Sequence, residues 1–321
     1  MRNNRPQDRR CSYVVLVESA TASAGELREL ASYFSTLAVA GCDVVILDPA
    51  PRLQFELNDR VLRWVGRHIA VRAEHRGSVD VIRAASTNAA CEKVIVAAED
   101  IRYTPEAIGQ LCDLLDVHEV VEPQDYLDPM PWWGGIEAGR MLIHRGIEPQ
   151  PDHGATFGFR RSAIRALHAL PASTDTQVRR LASVGAEVYP AADVFVRREP
   201  SPLGEWMSSR VRSAGEDFAL PVKTAFFLSL VPLLLLLSYL EPRFAGVYAG
   251  VIAFVAVGLA ARGRSGAAAM HFPLRACLFA PLWVLERSVS VYWALFRKLR
   301  GADEDVSRVP TPAEARARQV I

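Results

Sequence analysis

The sequence predicts an α/β protein: a mostly parallel sheet with helices on both faces, followed by a C-terminal transmembrane helical hairpin and an amphipathic helix. Three observations predict it. Residues 11 to 200 alternate short β-branched runs with helix-period segments, the pattern of a parallel sheet covered on both faces. No charged residue stands between Thr224 and Leu240, nor between Ala245 and Ala261, and each run is close to the ~17 to 25 residues of a spanning helix. Phe272 to Leu295 is apolar again, but Arg275, Glu286, Ser290 and Arg297 fall within roughly 60° of one another at helical spacing, which predicts an amphipathic helix. The resulting division is an arm at 1–10, an α/β domain at 11–215, a hairpin at 222–262, an interfacial helix at 270–300 and a tail at 301–321.

Composition narrows the function classes. The 321 residues are half apolar, and 37 basic against 36 acidic residues leave a net charge of +1, so no global field calls for nucleic acid. Met1 to Arg10 carries four arginines and no apolar run, so it reads as a disordered arm rather than a secretory signal. The five cysteines have no C-x-x-C spacing and the seven histidines no H-x-x-x-H spacing, which argues against a disulfide framework or a zinc site and for a reducing compartment.

Along the α/β domain, Tyr13 to Val17 is the first strand. Ser23 and Glu26 form a capping box ahead of a helix whose stripe is Leu27, Leu30, Phe34, Leu37 and Ala38. Val44 to Leu47 is a strand ending at Asp48, a carboxylate where open α/β sheets place ligands. A helix near Leu53 to Val65, a strand at Ile69 to Val71 and a helix near Val79 to Ala89 follow. Val94 to Ala97 then runs into Glu99-Asp100, Thr104 and Pro105 cap a helix through Leu115, and Val117 to Val121 is a strand followed by a loop at Glu122-Pro123-Gln124. Two strand ends carrying carboxylates suit a nucleotide and its metal, since Mg²⁺ or Mn²⁺ on a diphosphate needs hard oxygens and few protein groups. Turn-forming and helix-capping are the competing reading of the same residues.

Glu241-Pro242-Arg243-Phe244 is so short that the two apolar helices form an antiparallel hairpin. Arg210, Arg212 and Lys223 precede it and Arg262 and Arg264 follow it, so the positive-inside bias predicts a multi-pass protein of the cell membrane with its α/β domain facing the cytoplasm. Trp283, Tyr292 and Trp293 suit a helix lying in the headgroup layer, with a third span as the alternative. The polar tail after Gly301 reads as disordered.

Ile82 to Ala85, Val94 to Tyr103, Val121 to Tyr126, Pro131-Trp132, Gly154 to Arg161, Phe195 to Arg198 and Ser209 to Arg212 resemble, in order and spacing, the successive blocks of family 2 glycosyltransferases of the membrane-associated bacterial type. The resemblance covers about residues 12 to 215. It implies the GT-A fold, a Rossmann-like sheet that binds a nucleotide-sugar with a divalent metal, Mg²⁺ or Mn²⁺, and hexosyltransferase-like activity, while membrane attachment predicts a lipid-linked or envelope-glycan acceptor. Glu18 and Asp48 match positions that hold base and ribose, Arg83 matches the Arg of an Ala-Arg-Asn block, and Glu99 and Asp100 match the acidic signature for metal and diphosphate, with Asp100 the metal ligand. Ala98 stands where the family has Asp.

Asp175 matches the catalytic base that opens a helix ending at Gly185, after a slip of one residue and without the Glu that precedes it in the family; as a bare helix cap it has an equal reading. Arg210 and Arg212 match the two arginines of a Gln-Arg-x-Arg-Trp block and would clamp the donor diphosphate or an anionic headgroup, or else anchor the membrane side. Trp132, Trp133 and Arg140 match the acceptor groove, with packing as the alternative fate of the tryptophans. The second function expected is a catalytically degenerate glycosyltransferase-like membrane partner or regulatory protein, supported by Ala98 and the missing Glu. A phosphotransfer domain with Asp48 as acceptor is the third.

Overall fold

The structure is a computed structural model, and it describes residues 10–17, 24–71, 80–148, 156–166, 178, 181–182, 185–207, 210 and 221–300. The expected arm, tail and Ser23 capping residue lie outside these, as do Glu18, Asp175 and Arg212. Eight strands, β1 (Cys11–Leu16), β2 (Cys42–Asp48), β3 (Arg67–Ala70), β4 (Lys93–Ala98), β5 (Ile101–Arg102), β6 (Val120–Leu127), β7 (Thr156–Arg160) and β8 (Val188–Arg198), form one sheet in the order β3-β2-β1-β4-β7-β6-β8-β5. The helices interleaved with them are α1 (Ala24–Val39), α2 (Arg52–Leu62), α3 (Val81–Asn88), α4 (Pro105–Leu114), α5 (Gly134–Ile147) and α6 (Arg161–Ala166).

Pleat alternation gives the sheet two apolar faces. Cys11, Tyr13 and Val15 of β1 pack with Leu27, Leu30, Phe34 and Leu37 of α1 and with Ile108 and Leu111 of α4. Val14 points the other way, into a core with Ile82 and Ala85 of α3 and Ile164 of α6. Helices on both faces are therefore found as expected. The sheet is less parallel than expected: β1–β2, β1–β4, β2–β3 and β6–β8 are parallel, whereas β7 runs antiparallel to β4 and β6, and β5 antiparallel to β8.

The expected loop at Glu122-Pro123-Gln124 lies inside β6. Proline cannot donate to a ladder, and the pairing of β6 with β8 shifts register between Pro123 and Gln124, a bulge that admits the proline. The cap at Thr104 is present, its side chain accepting from Ala107 N at 3.2 Å with Pro105 in the first turn.

By contacts the chain divides into two units, 1–128 with 149–199, and 129–148 with 200–321. The second unit contains α5 together with α7 (Pro221–Leu240), α8 (Pro242–Gly263), α9 (Ala268–His271), α10 (Arg275–Leu278) and α11 (Ala280–Leu299). One helix among the described residues, Pro242–Gly263, is long and apolar enough to cross a membrane by length and composition, and the apolar part of α7, Thr224–Leu240, is shorter.

The expected amphipathic segment is divided between α10 and α11, and the positions of its polar stripe have different surroundings: Ser290 is buried, Glu286 and Arg297 are half-buried and Arg275 is exposed. The buried side of α11 is mixed, with Trp283, Val284 and Val291 beside Arg287 and Ser288, and Leu282, Leu285, Val289, Trp293 and Phe296 are exposed.

Candidate functional site

Parallel pairing sets β1 between β2 and β4, with Leu16 opposite both Leu47 and Ala98. Asp48 and the Glu99-Asp100 turn therefore leave the same edge of the sheet, the carboxyl edge, with two strand spacings of roughly 4.8 Å each between their strands. The two carboxylates differ in what engages them. Asp48 is buried, and its oxygens accept from Ala50 N at 2.7 Å and Asn58 Nδ2 at 2.8 Å and lie 3.1 Å from His68 Nε2. His68 reaches Asp59 through Nδ1 at 3.1 Å and stacks on Phe55. Burial pushes the Asp48 carboxyl up, but the bonds from His68, Asn58 and Ala50 outweigh it and hold it below the usual carboxylate range. Asp48 thus fastens the exit of β2 to α2 and β3.

Asp100 accepts from Arg198 Nε at 2.8 Å through Oδ2, while its Oδ1 is buried with no hydrogen-bond partner. Arg198 also reaches the buried Asp125 on β6, Nη1 to Oδ2 at 3.3 Å. Residue 198 stands two places along β8 from Val196, the register partner of Asp125, so pleating puts Arg198 and Asp125 on one face. Around them Arg102 donates to the Glu99 carbonyl and to Glu199 Oε2 at 3.0 Å, and Arg197 donates to Glu199 Oε1 at 3.3 Å. Asp125 and Arg198 were not assigned from the sequence as site residues; the available signal was their place in two of the blocks that carry the family resemblance, Val121 to Tyr126 and Phe195 to Arg198.

The donor set at this edge fits a divalent cation in one way. Among the described residues no group of three or more His, Cys, Asp or Glu could hold a metal, so a protein-only cage is excluded there. The orphaned Asp100 Oδ1 can supply one hard oxygen, which suits an ion whose other ligands are diphosphate and water. Arg83, the remaining described donor-side candidate, is exposed on α3, where its amide nitrogen donates to the Asp80 carboxylate at 3.2 Å.

In the helical unit, three of the expected residues converge. Glu137 on α5 accepts from Arg140 Nε at 2.9 Å and pairs with Arg210 Nη2 at 2.9 Å. The Trp206 indole donates to it at 3.5 Å, and the Trp133 and Trp206 rings lie 5.3 Å apart. Trp132 is outside this cluster's core, 71% exposed. Glu137 and Trp206 were not singled out from the sequence.

No known protein-family profile matches the chain, and no curated protein matches it. Solved structures do. A mannosyltransferase from Pyrobaculum calidifontis in complex with GDP-Man and Mn²⁺ is 16% identical over 90% of this chain and 88% of its own, with a TM-score of 0.47. Staphylococcus aureus TarS 1-349 in complex with UDP-GlcNAc is 12% identical over 60% of this chain and 58% of its own, TM-score 0.40. Glucosyl-3-phosphoglycerate synthase from Mycobacterium tuberculosis is 13% identical over 61% and 74%, TM-score 0.39.

Proposed function

We propose that this protein is a membrane-associated inverting glycosyltransferase that moves a sugar from a nucleotide-sugar donor to a lipid-linked or envelope-glycan acceptor. The observation that carries the proposal is Asp100, standing at the carboxyl edge of the sheet with a buried carboxylate oxygen that no protein group satisfies. Asp100 would hold a divalent cation, Mg²⁺ or Mn²⁺, and the cation when bound would neutralise charge on the departing diphosphate. The guanidinium of Arg198 holds Asp100 and Asp125 in place and keeps two neighbouring carboxylates from repelling each other. Asp48 keeps the β2 exit fixed for the nucleoside, and Glu18, Glu99 and Arg83 complete the donor side on the resemblance stated above. Asp175 is the base for a hydroxyl acceptor. On the same resemblance Trp132, Trp133 and Arg140 would serve the acceptor, and Arg210 and Arg212 would hold phosphate.

Membrane attachment through α7 and α8, with the α/β unit in the cytoplasm, belongs to the same proposal. The exposure of Leu235 (64%) on α7 and Phe254 (80%) on α8 supports it, because exposed apolar surface of this extent calls for lipid or a partner.

The test is a thermal-shift screen of nucleotide-sugars with and without Mn²⁺ on the full chain. A donor should raise stability by mass action in a metal-dependent manner, and Asp100→Ala should abolish the shift. Unchanged binding in Asp100→Ala removes Asp100 from the site. The Arg198 bridge to Asp100 favours one second reading, a degenerate transferase that binds nucleotide without turnover and serves as a membrane partner or regulatory protein. Transfer or hydrolysis of the donor by purified protein would eliminate it.

A further inference from the structure

Three of the five cysteines meet on one face of the sheet. Cys11 opens β1, Cys42 opens β2 and Cys112 stands on α4, and all three are buried in the same apolar cluster. Cys11 and Cys42 are register partners on adjacent parallel strands, and their sulfurs lie 3.7 Å apart. Their separation of 31 residues hides the pair from any C-x-x-C reading. Cys112 engages the Cys11 thiol as well.

A buried cysteine can serve as a small apolar residue, and that role asks for no pairing. The geometry here is nearer to a cross-link. Neighbouring strands run about 4.8 Å apart, inside the Cα separations of about 4.4 to 6.8 Å that a disulfide bridges. Each sulfur has to move by less than about 1 Å to close the gap to the ~2.05 Å of the bond. The next rung holds the two strands in register from the opposite face, where Ser12 stands against Asp43 and its hydroxyl donates to that carboxylate at 3.0 Å.

Reactivity and access come from the position at the amino edge of the sheet. The Cys11 thiol donates within the trio and is held well above the usual thiol range, while accepting from it lowers Cys42 and Cys112. Arg10 favours the thiolates of both, and Asp43 and Asp113 oppose Cys42 and Cys112 respectively. Cys42 is therefore the nucleophile and Cys11 the resolving thiol. Cys11 follows the exposed Arg10 and Cys42 follows Gly41, and the Arg10 amide donates to the Gly41 carbonyl at 3.2 Å. Among the described residues that bond is the end of the β1–β2 ladder, and fraying a strand end costs far less than unfolding, so a small oxidant can enter there.

We propose that Cys11 and Cys42 form a reversible oxidation site, a thiol pair that a hydroperoxide converts to a disulfide. The Cys42 thiolate attacks one peroxide oxygen, the O–O bond breaks, and Cys42 becomes a sulfenic acid. The other oxygen leaves with its electron pair and takes up the thiol proton, as water when the oxidant is hydrogen peroxide. The Cys11 sulfur then attacks the Cys42 sulfur, its proton goes to the departing hydroxide, and a second water leaves as the S–S bond forms. Two thiols have lost two electrons and the peroxide has gained them. The link ties the starts of β1 and β2 together, and a thiol reductant reverses it. It needs neither a sugar donor nor an acceptor, so it stands apart from the transferase reading.

The experiment uses the full chain in detergent, reduced with dithiothreitol, freed of it and exposed to hydrogen peroxide without denaturant. Remaining thiols are blocked with N-ethylmaleimide, and the unreduced digest is mapped by mass spectrometry. Free thiols should fall from five to three per chain, with a Cys11–Cys42 peptide pair that dithiothreitol removes. Cys112→Ser should keep the link and Cys42→Ser should lose it. If Cys42→Ser does not fold, the wild-type map alone decides. A link that forms only in urea overturns the proposal, as does Cys11 joined to Cys112 in preference to Cys42. So does peroxide that oxidises the half-buried Cys91 while Cys11 and Cys42 stay fully alkylated, or a loss of their thiols that dithiothreitol does not restore.

Discussion

At the scale of single residues, Asp48 and Asp100 show how similar sequence contexts become different chemistry. Asp48 is spent on Ala50, Asn58 and His68, whereas Asp100 keeps one buried oxygen unpaired. Replacing Asp48 with Asn should cost about 1–3 kcal/mol at neutral pH, the penalty for disturbing a buried charge-assisted network. The sign with pH follows from its lowered pKa. Stability from the ionised carboxylate is present above the ordinary value of 3.8 and is lost as pH falls through the lower folded value. The gap between wild type and Asp48→Asn in urea unfolding should therefore be widest near neutrality and close as pH drops below about 4. Arg198→Met, which strips the buried Asp125 of a donor, should destabilise by about 1–3 kcal/mol, while Arg197→Met, at a more exposed pair, should cost under about 1 kcal/mol. That both aspartates end up at a strand exit was legible from the β-branched runs before them. Their bonding was not, because Asn58 and His68 stand ten and twenty residues beyond Asp48, and Arg198 stands 98 beyond Asp100.

At the scale of elements, helix α5 is shaped by close approach. A Cβ built on Gly146 would stand 2.0 Å from the Leu259 carbonyl oxygen of α8, and one on Gly263 2.0 Å from the Leu142 carbonyl oxygen of α5. Helix propensity alone favours Gly146→Ala by about 1 kcal/mol, so the sign of the measured change is diagnostic. The backbone clash should win, lowering the melting temperature with a loss of about 1–3 kcal/mol, and a stabilised variant would mean that the two helices do not meet there. The glycines are visible in the sequence, but a helix face that fits another backbone looks the same as a helix with poor propensity until its partner is known. Strand β8 was missed for a similar reason. Its Pro190-Ala191-Ala192-Asp193 stretch reads as a loop, and its pairing with β6 overrides that local preference. Periodicity identifies the polar face of α11 without saying what covers it, so the burial of Ser290 is not visible in the sequence.

At the scale of the whole molecule, the chain combines a sheet unit with a helical unit that exposes large apolar side chains such as Leu235 and Phe254. On the proposed membrane attachment, the full-length protein should sediment with membranes, resist carbonate extraction and require detergent for release. Recovery in the carbonate supernatant would count against spanning helices and leave a peripheral association. The route of the chain adds a constraint on how the protein is made. Residues 129–148 belong with the helices although they are translated between β6 and β7 of the sheet. During synthesis α5 leaves the ribosome more than a hundred residues ahead of the end of α8, the helix it must meet. Until then its glycine-lined side has nothing to rest against, so a product terminated at residue 199 should be a substrate for chaperones and proteases rather than a freestanding sheet domain.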